Sequence, residues 1–324
     1  MILVTGASGL VGNYLCRELE RTGRDFKAMV RNKELAAKFT DINPDKFVQA
    51  DLLDIYSLES AVQDCNIIVH CGAIISFNPS DYHYMNKVNV EGTRNLVDMA
   101  LKYQISNLIH ISSISAVASH KGQKVVDESV QWPGSTKPSY YGISKHQAEL
   151  EIWRGFSEGL KVNILNPSTL LGPGDWSRSS TRLFKYVWDE NPFYTAGYLN
   201  YLDLRDFVSV IIRFLDDKPY NERFLINGGR ISYKEFFEKI ALSLGKKAPT
   251  VKAAGWMVKV AILKEWIKSK ITGNPPLITS ETAQRGKSDI TYDLSRLKKV
   301  IDFKFRTIDE SIDWTCAELQ KIYI

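Results

Sequence analysis

The stretch Thr5-Gly6-Ala7-Ser8-Gly9-Leu10-Val11-Gly12 limits the fold of this chain more than any other. An apolar run, Ile2–Thr5, precedes it, and a helix-like segment, Leu10–Arg21, follows. Gly6 permits a sharp turn out of the strand, Gly9 lets backbone approach a pyrophosphate, and Gly12 lets the helix pack closely on a sheet. The N-terminus of such a helix presents unbonded N–H groups and a positive dipole end to phosphates. A glycine trio also occurs in plain tight turns. A strand before it and a helix after it favour a dinucleotide, held by Thr5, Gly6, Ser8, Gly9, Leu10 and Gly12.

The pattern continues with apolar runs at Phe26–Val30, Lys46–Gln49, Ile67–His70, Leu108–Ser112 and Val162–Asn166. Helix-like segments lie between them, notably Tyr82–Tyr103 and Tyr140–Glu158. This alternation predicts an α/β fold, a Rossmann-type doubly wound parallel sheet, with a smaller, mostly helical C-terminal substrate domain. After Pro167 the rhythm breaks: Gly172-Pro-Gly174 interrupts it, and Trp176 to Tyr201 reads as aromatic and irregular. A helix (Leu204–Leu215) and a strand (Arg223–Asn227) could return to the sheet, and Ser232 onwards reads mostly as helices. The expected division is residues 1–170 plus 203–228 for the NAD(P)-binding domain and 171–202 plus 229–324 for the substrate-binding region.

Composition narrows the function. With 44% hydrophobic and 24% charged residues the chain reads as soluble, and its net charge of +5 is spread too evenly for a nucleic-acid face. Cys16, Cys65, Cys71 and Cys316 have no metal-ligand spacing, and no metal is expected. The apolar start lacks a basic leader, so the chain is read as cytoplasmic. Residues 255–272 are interrupted by Lys259, Lys264, Lys268 and Lys270, which excludes a membrane span and leaves an amphipathic helix, packed on its own domain or lying on a membrane surface.

The second strand ends Val30-Arg31, where a carboxylate would hold the ribose of NAD(H). A guanidinium there suits a 2′-phosphate, so NADP(H) is favoured and NAD(H) remains the alternative; Arg31 as a plain surface charge is the other reading. Asp51 and Leu52, just past the third strand, are placed by topology where the adenine would lie.

Tyr141-Gly142-Ile143-Ser144-Lys145 puts a phenol and an ammonium four apart, on one face of a helix. A phenol of pKa ~10 needs ~4 kcal/mol of preferential anion stabilisation to work near pH 7, and a neighbouring ammonium supplies charge of the right sign. Tyr140 is less well aligned with Lys145. The strand Leu108–Ser112 ends in hydroxyls, and Ser113 there could hold a substrate oxygen or simply bond its own turn. Ser113, Tyr141 and Lys145 are the candidate catalytic residues for hydride transfer between a small-molecule ketone or aldehyde and its alcohol.

Together these motifs resemble the extended short-chain dehydrogenase/reductase family. The likeness extends to His70-Cys-Gly-Ala73, Asn89-Val-Glu-Gly-Thr93, Asn166-Pro-Ser168, Gly172-Pro-Gly174, Leu204-Arg-Asp-Phe207 and the segment from Asp293 to Phe303. The resemblance implies that Gly6, Gly9 and Gly12 bind the cofactor diphosphate and that Ser113, Tyr141 and Lys145 form a triad, with Lys145 also holding the nicotinamide ribose. It places Cys71, Gly72 and Ala73 along the cofactor and Asn166, Pro167 and Ser168 near the nicotinamide, and it gives Asn89 a bracing role. Dehydratases of the family carry an acidic pair after the catalytic hydroxyl, whereas this chain reads Ser113-Ile-Ser-Ala116. Epimerases carry an acidic residue on the second strand and a valine-tyrosine-glycine turn, both missing here. What remains is similar to the dihydroflavonol-4-reductase-like and 3β-hydroxysteroid-dehydrogenase-like branch, as is the segment Gly273–Thr279. A sugar-nucleotide epimerase and a non-catalytic dinucleotide sensor are the alternatives. In many relatives the helices Asn89–Tyr103 and Tyr140–Glu158 pair a homodimer, with Leu96, Met99, Ile152 and Trp153 open to that role or to the core. Trp176, Phe193, Tyr194, Tyr198 and Tyr201 could floor an apolar pocket or fill the core. Arg178 and Arg182 read as surface charges or as an anion site.

Overall fold

The computed structural model describes all residues except 133–137, 177–179, 218–219, 254–256, 258–288 and 324. The expectations for residues 255–272 (Met257 apart), for 273–279 and for Arg178 therefore lie outside the described residues.

In chain order the elements of the first half are β1 (Ile2–Thr5), α1 (Leu10–Arg21), β2 (Phe26–Val30), α2 (Lys33–Phe39), β3 (Phe47–Gln49), α3 (Ile55–Val62), β4 (Ile67–His70), α4 (Tyr82–Asn86), α5 (Gly92–Lys102), β5 (Asn107–Ile111), β6 (Val125–Val126), α6 (Tyr140–Ser157) and β7 (Val162–Pro167). The second half adds β8 (Thr169–Leu171), α7 (Thr181–Trp188), β9 (Phe193–Tyr194), β10 (Tyr198–Asp203), α8 (Leu204–Asp216), β11 (Arg223–Ile226), β12 (Gly229–Ser232), α9 (Tyr233–Leu244), β13 (Val251–Lys252), β14 (Thr291–Tyr292), α10 (Ser295–Val300) and α11 (Ile308–Tyr323).

Parallel strands form a seven-stranded sheet in the order β11-β7-β5-β4-β1-β2-β3. β1 and β5 are buried along their whole length, as strands covered on both faces must be. α1 buries Gly12, Leu15, Cys16 and Leu19, the spacing of a single apolar stripe, and with α8 it covers one face of the sheet. The opposite face packs against α3, α5 and α6 through Leu58, Leu96, Val97 and Ile152. The strand order reverses between β1 and β4, and ligands of such sheets bind in the crevice that opens there. Beside this sheet, β12-β10-β8 forms a small mixed one. Phe184, Val187, Phe236, Ile240, Ile312 and Leu319 make a separate core in that region.

Two expectations are corrected. The stretch expected to be irregular carries, from Thr181 onwards, α7, β9 and the start of β10; the helical stripe of Thr181, Phe184 and Val187 is hidden in sequence among surrounding aromatics. Trp176 and Tyr201 lie in that core, while Phe193 and Tyr198 are exposed. The single helix expected over Tyr82–Tyr103 is split by a π-helical turn, Lys87–Glu91. Leu96 and Ile152 are buried against their own sheet, and Met99 and Trp153 pack partly on the same core. No helix among the described residues is long and apolar enough to cross a membrane.

Candidate active site

The glycine turn sits at the C-terminal end of β1. Gly6 has φ +64°, in the left-handed region, and a Cβ there would stand 2.7 Å from Gly72 Cα. A Cβ on Gly12 would stand 2.3 Å from the Gly6 carbonyl oxygen, so only glycine lets α1 begin this close to the turn. Gly9 is different: it is exposed, and a Cβ would meet only the Gly6 oxygen, at 3.2 Å. Gly9 is also the N-cap of α1 and lends it no side-chain cap. The N–H groups of the first helical turn have no partner within the helix, the donor set an anionic diphosphate requires. The residues present thus fit such a group.

A chain of hydrogen bonds fixes the floor of this turn. Thr5 Oγ1 accepts the Gly72 N–H at 3.1 Å and lies 2.7 Å from His70 Nδ1. His70 Nε2 lies 3.0 Å from Thr93 Oγ1, whose proton goes to the Asn89 carbonyl at 2.6 Å. Only one assignment satisfies all four bonds: Thr93 accepts from Nε2–H, and Nδ1 accepts from the Thr5 hydroxyl. His70 is held neutral. Burial, then the nearby Lys145 charge, lowers its pKa to about 3.

Asn89 carries the bracing further. Its Oδ1 accepts the Ile74 N–H at 2.7 Å, and its Nδ2 donates to the Ile74 carbonyl at 2.9 Å and to Ser144 Oγ at 3.0 Å. The π turn, the loop after β4 and α6 are thereby tied together.

α6 starts at Ser139, whose hydroxyl accepts the Gly142 N–H at 2.8 Å. A Cβ on Gly142 would lie 2.4 Å from the Ser115 carbonyl oxygen, so the helix start is pressed onto the turn that follows β5. Tyr141 lies on the buried face, with the Phe77 ring edge-on at 6.0 Å, whereas Tyr140 is exposed and stacks on Tyr82 at 4.8 Å. Lys145, one turn on, is 2% exposed. Its Nζ donates to the Ile111 carbonyl at 2.8 Å and stands 3.4 Å from His110 Nε2. Burial lowers the pKa of Lys145 to about 8, against the opposing pull of Glu149 and Cys71.

Ser113 caps the short 3₁₀ turn Ile114–Ala116: its hydroxyl accepts the Ser115 N–H and donates to Ser115 Oγ, both at 3.1 Å. Asn166 Nδ2 donates to the Ser113 carbonyl at 2.8 Å. Ser113 and Lys145 therefore lie at the C-terminal end of β5, with the start of α6 that carries Tyr141 pressed on the turn just beyond it.

The other expected site residues divide. Cys71 and Gly72 lie against the glycine turn, and Leu52 packs on Gly72. Ala73, Ser8 and Arg31 are exposed. Asn166, Pro167 and Ser168 leave the end of β7, with Asn166 Oδ1 buried and unbonded. Asp51 spends one oxygen on the Leu53 N–H of its own loop, at 2.9 Å. Sequence reasoning missed His70, His110 and Glu149. For Glu149 a signal existed: Tyr141, Lys145 and Glu149 recur at four-residue steps, which is one helical face.

The profile of the NAD dependent epimerase/dehydratase family matches residues 2–226. A Synechocystis protein provisionally named as a dihydroflavonol 4-reductase is 26% identical over 318 residues, covering 95% of this chain and 91% of that protein. The Saccharomyces cerevisiae sterol-4-alpha-carboxylate 3-dehydrogenase (decarboxylating) is 26% identical over 354 residues, covering 98% and 97%. Among solved structures, gox2253 superposes with a TM-score of 0.82 at 27% identity, covering 100% of this chain and 98% of that one. The Bacillus cereus UDP-glucuronic acid 4-epimerase, solved with NAD, shares the fold at a TM-score of 0.76 and 17% identity, covering 99% and 97%.

Proposed function

This chain belongs to the NAD dependent epimerase/dehydratase family as an enzyme of the extended short-chain dehydrogenase/reductase type, and we propose that it interconverts a ketone or aldehyde with the corresponding alcohol. The observation that carries this reading is Lys145. Its ammonium is buried one turn from Tyr141 and held by a carbonyl and an imidazole rather than by a carboxylate. A cation so placed acts on what lies beside it.

In reduction Tyr141 gives its phenolic proton to the substrate oxygen, and in oxidation it takes that proton back. Lys145 stabilises the phenolate left behind. Ser113 turns its hydroxyl from Ser115 to the same oxygen and holds it. Gly6, Gly9, Gly12 and the start of α1 would hold the dinucleotide diphosphate, and Lys145 the ribose next to the nicotinamide. When bound, the nicotinamide supplies or accepts the hydride. Arg31, exposed at the end of β2, supports NADP(H) over NAD(H). Residues 171–202 plus 229–324 would shape the substrate side.

Purified protein should consume NADPH with some members of a panel of ketones and aldehydes. Tyr141→Phe should lower turnover by roughly 10²–10⁴-fold and leave dinucleotide binding intact. A variant as active as wild type would sink the assignment. Arg31→Ala should lower the NADPH-to-NADH ratio of kcat/KM by about tenfold, the worth of one charge-assisted hydrogen bond; an unchanged ratio removes the NADP(H) preference. The family also holds epimerases, and sugar inversion without net nicotinamide consumption would favour that reading instead.

A further inference from the structure

Glu149 is buried, 1% exposed, on the face of α6 that also bears Tyr141 and Lys145. One oxygen, Oε1, accepts from Ser112 Oγ at 2.5 Å and from Asn166 Nδ2 at 2.6 Å. The other, Oε2, faces Arg223 Nη1 at 3.2 Å. Asn166 divides its amide between two acceptors, since the same Nδ2 donates to the Ser113 carbonyl. Arg223 in turn donates to the Glu128 carbonyl at 2.7 Å, and the Glu128 carboxylate accepts the Leu225 N–H at 2.8 Å. The C-terminal ends of β5 and β7 and the first residue of β11 therefore converge on one carboxylate. Every neighbour around it is a donor. A glutamine would turn its own NH₂ toward donors and leave at least one of them unsatisfied, so the site calls for an anion.

We propose that Glu149 is a positioning residue that sets Ser113 through Ser112 and Asn166 and, one helical turn from Lys145, holds that lysine in its charged form. This rests on the roles given to Ser113 and Lys145 above. The groups facing Lys145 are Tyr141 and Glu149 on its own helix, His110 on β5, and His70 and Cys71 at the end of β4. Both histidines are driven to the neutral form by burial, and the Cys71 thiol is pushed up to about 12 by the same cause. Glu149 is then the one carboxylate among them. It opposes the burial that pulls Lys145 down to about 8. Arg223 offsets part of this field from the far side, and His146 lies near enough to both to feel them.

The test is Glu149→Gln, read in two ways. The titration midpoint of Lys145 is followed in the dinucleotide-free protein by carbon-13 NMR of ε-labelled lysines, with the signal assigned by its loss in Lys145→Met. The expected result is a midpoint lowered by about one unit. In the assay kcat should fall by at least about tenfold, its alkaline limb should begin at lower pH, and dinucleotide affinity should stay unchanged. An unmoved midpoint overturns the proposal even if kcat falls, because a loss of kcat without a shift in the lysine is what a merely structural role for Glu149 would give. Were wild type to turn over no carbonyl compound, the catalytic reading would fail while the NMR midpoint still decided the coupling. Where Glu149→Gln yields no folded protein, Ser112→Ala removes one donor and keeps the carboxylate. That variant should lose kcat several-fold with the Lys145 midpoint and dinucleotide affinity in place. An unchanged kcat, or an equal loss of dinucleotide binding, overturns the proposal.

Discussion

Two polar clusters lie buried on either side of Lys145, and they are built on opposite principles. Toward β1 and β4, Thr5, His70, Thr93 and Asn89 form a chain of neutral groups in which each proton has one acceptor. Toward β7 and β11, Ser112, Asn166 and Arg223 surround the Glu149 carboxylate. The first cluster fixes the glycine turn and the π turn without adding net charge to the interior. The second brings a charge and its field under the candidate catalytic face. A neutral network serves geometry; an ionic one can also set a titration. Low dielectric makes both costly to break, but only the second transmits its loss to Lys145 as charge.

Acid is the harshest way to break the neutral side. His70 has a folded pKa of about 3 against an unfolded value near 6.5. The unfolded chain therefore binds the extra proton first. The stability that rests on neutral His70 is complete above pH ~6.5 and is lost as pH falls from there toward 3, by up to ~5 kcal/mol. His110, also lowered by burial, adds in the same direction. Urea unfolding at stepped pH should show this slope, and His70→Gln should flatten it by about one proton. Parallel pH dependences for variant and wild type would mean that His70 is not held neutral.

Lys145 belongs to neither cluster, and its own cost sharpens the contrast. Its pKa is lowered from 10.5 to about 8, chiefly by burial. Between these values the unfolded chain holds more protons, so the cost of burying the ammonium is full below pH 8 and relieved as pH rises toward 10.5. Lys145→Met should lose activity yet gain up to ~3 kcal/mol at pH 7, less what the lost bond to the Ile111 carbonyl takes back. Calorimetry should find the gain shrinking above pH 8. A methionine variant less stable than wild type at pH 7 would show that the ammonium holds the fold together.

The same contrast explains what could be read from sequence. The parallel sheet was legible because its strands are continuous apolar runs, and Tyr141 and Lys145 because they lie within one helical turn of each other. Arg223–Ile226 joins the sheet edge beside β7, as its apolar run suggested. The clusters were not legible because their partners are remote: His70 meets Thr5 across 65 positions and Glu149 meets Ser112 across 37. The π turn was hidden for the same reason, since Asn89 answers to the backbone of Ile74 in a loop of no regular pattern. α6 itself carries Tyr, Lys, Glu and Ser on its buried face, so an apolar stripe is a poor guide to which way it points. Asp51 was placed by topology alone, and that could not show that one of its carboxylate oxygens also accepts the Leu53 N–H of its own loop.

The smallest effect tests the division itself. Thr93→Val keeps the shape of the side chain and removes the hydroxyl that accepts from His70 Nε2–H and donates to the Asn89 carbonyl. One buried imidazole N–H is left unpaired, which should cost about 1–3 kcal/mol in urea unfolding at pH 7. No charge is gained or lost, and the altered side chain stands on α5 and is not among the hydrogen-bond partners of the Glu149 carboxylate. The Lys145 midpoint should therefore stay within about 0.2 units of wild type, whereas Glu149→Gln moves it by about one. If Thr93→Val shifted the lysine as far as Glu149→Gln does, the titration would be answering to packing rather than to charge, and the two clusters would be one.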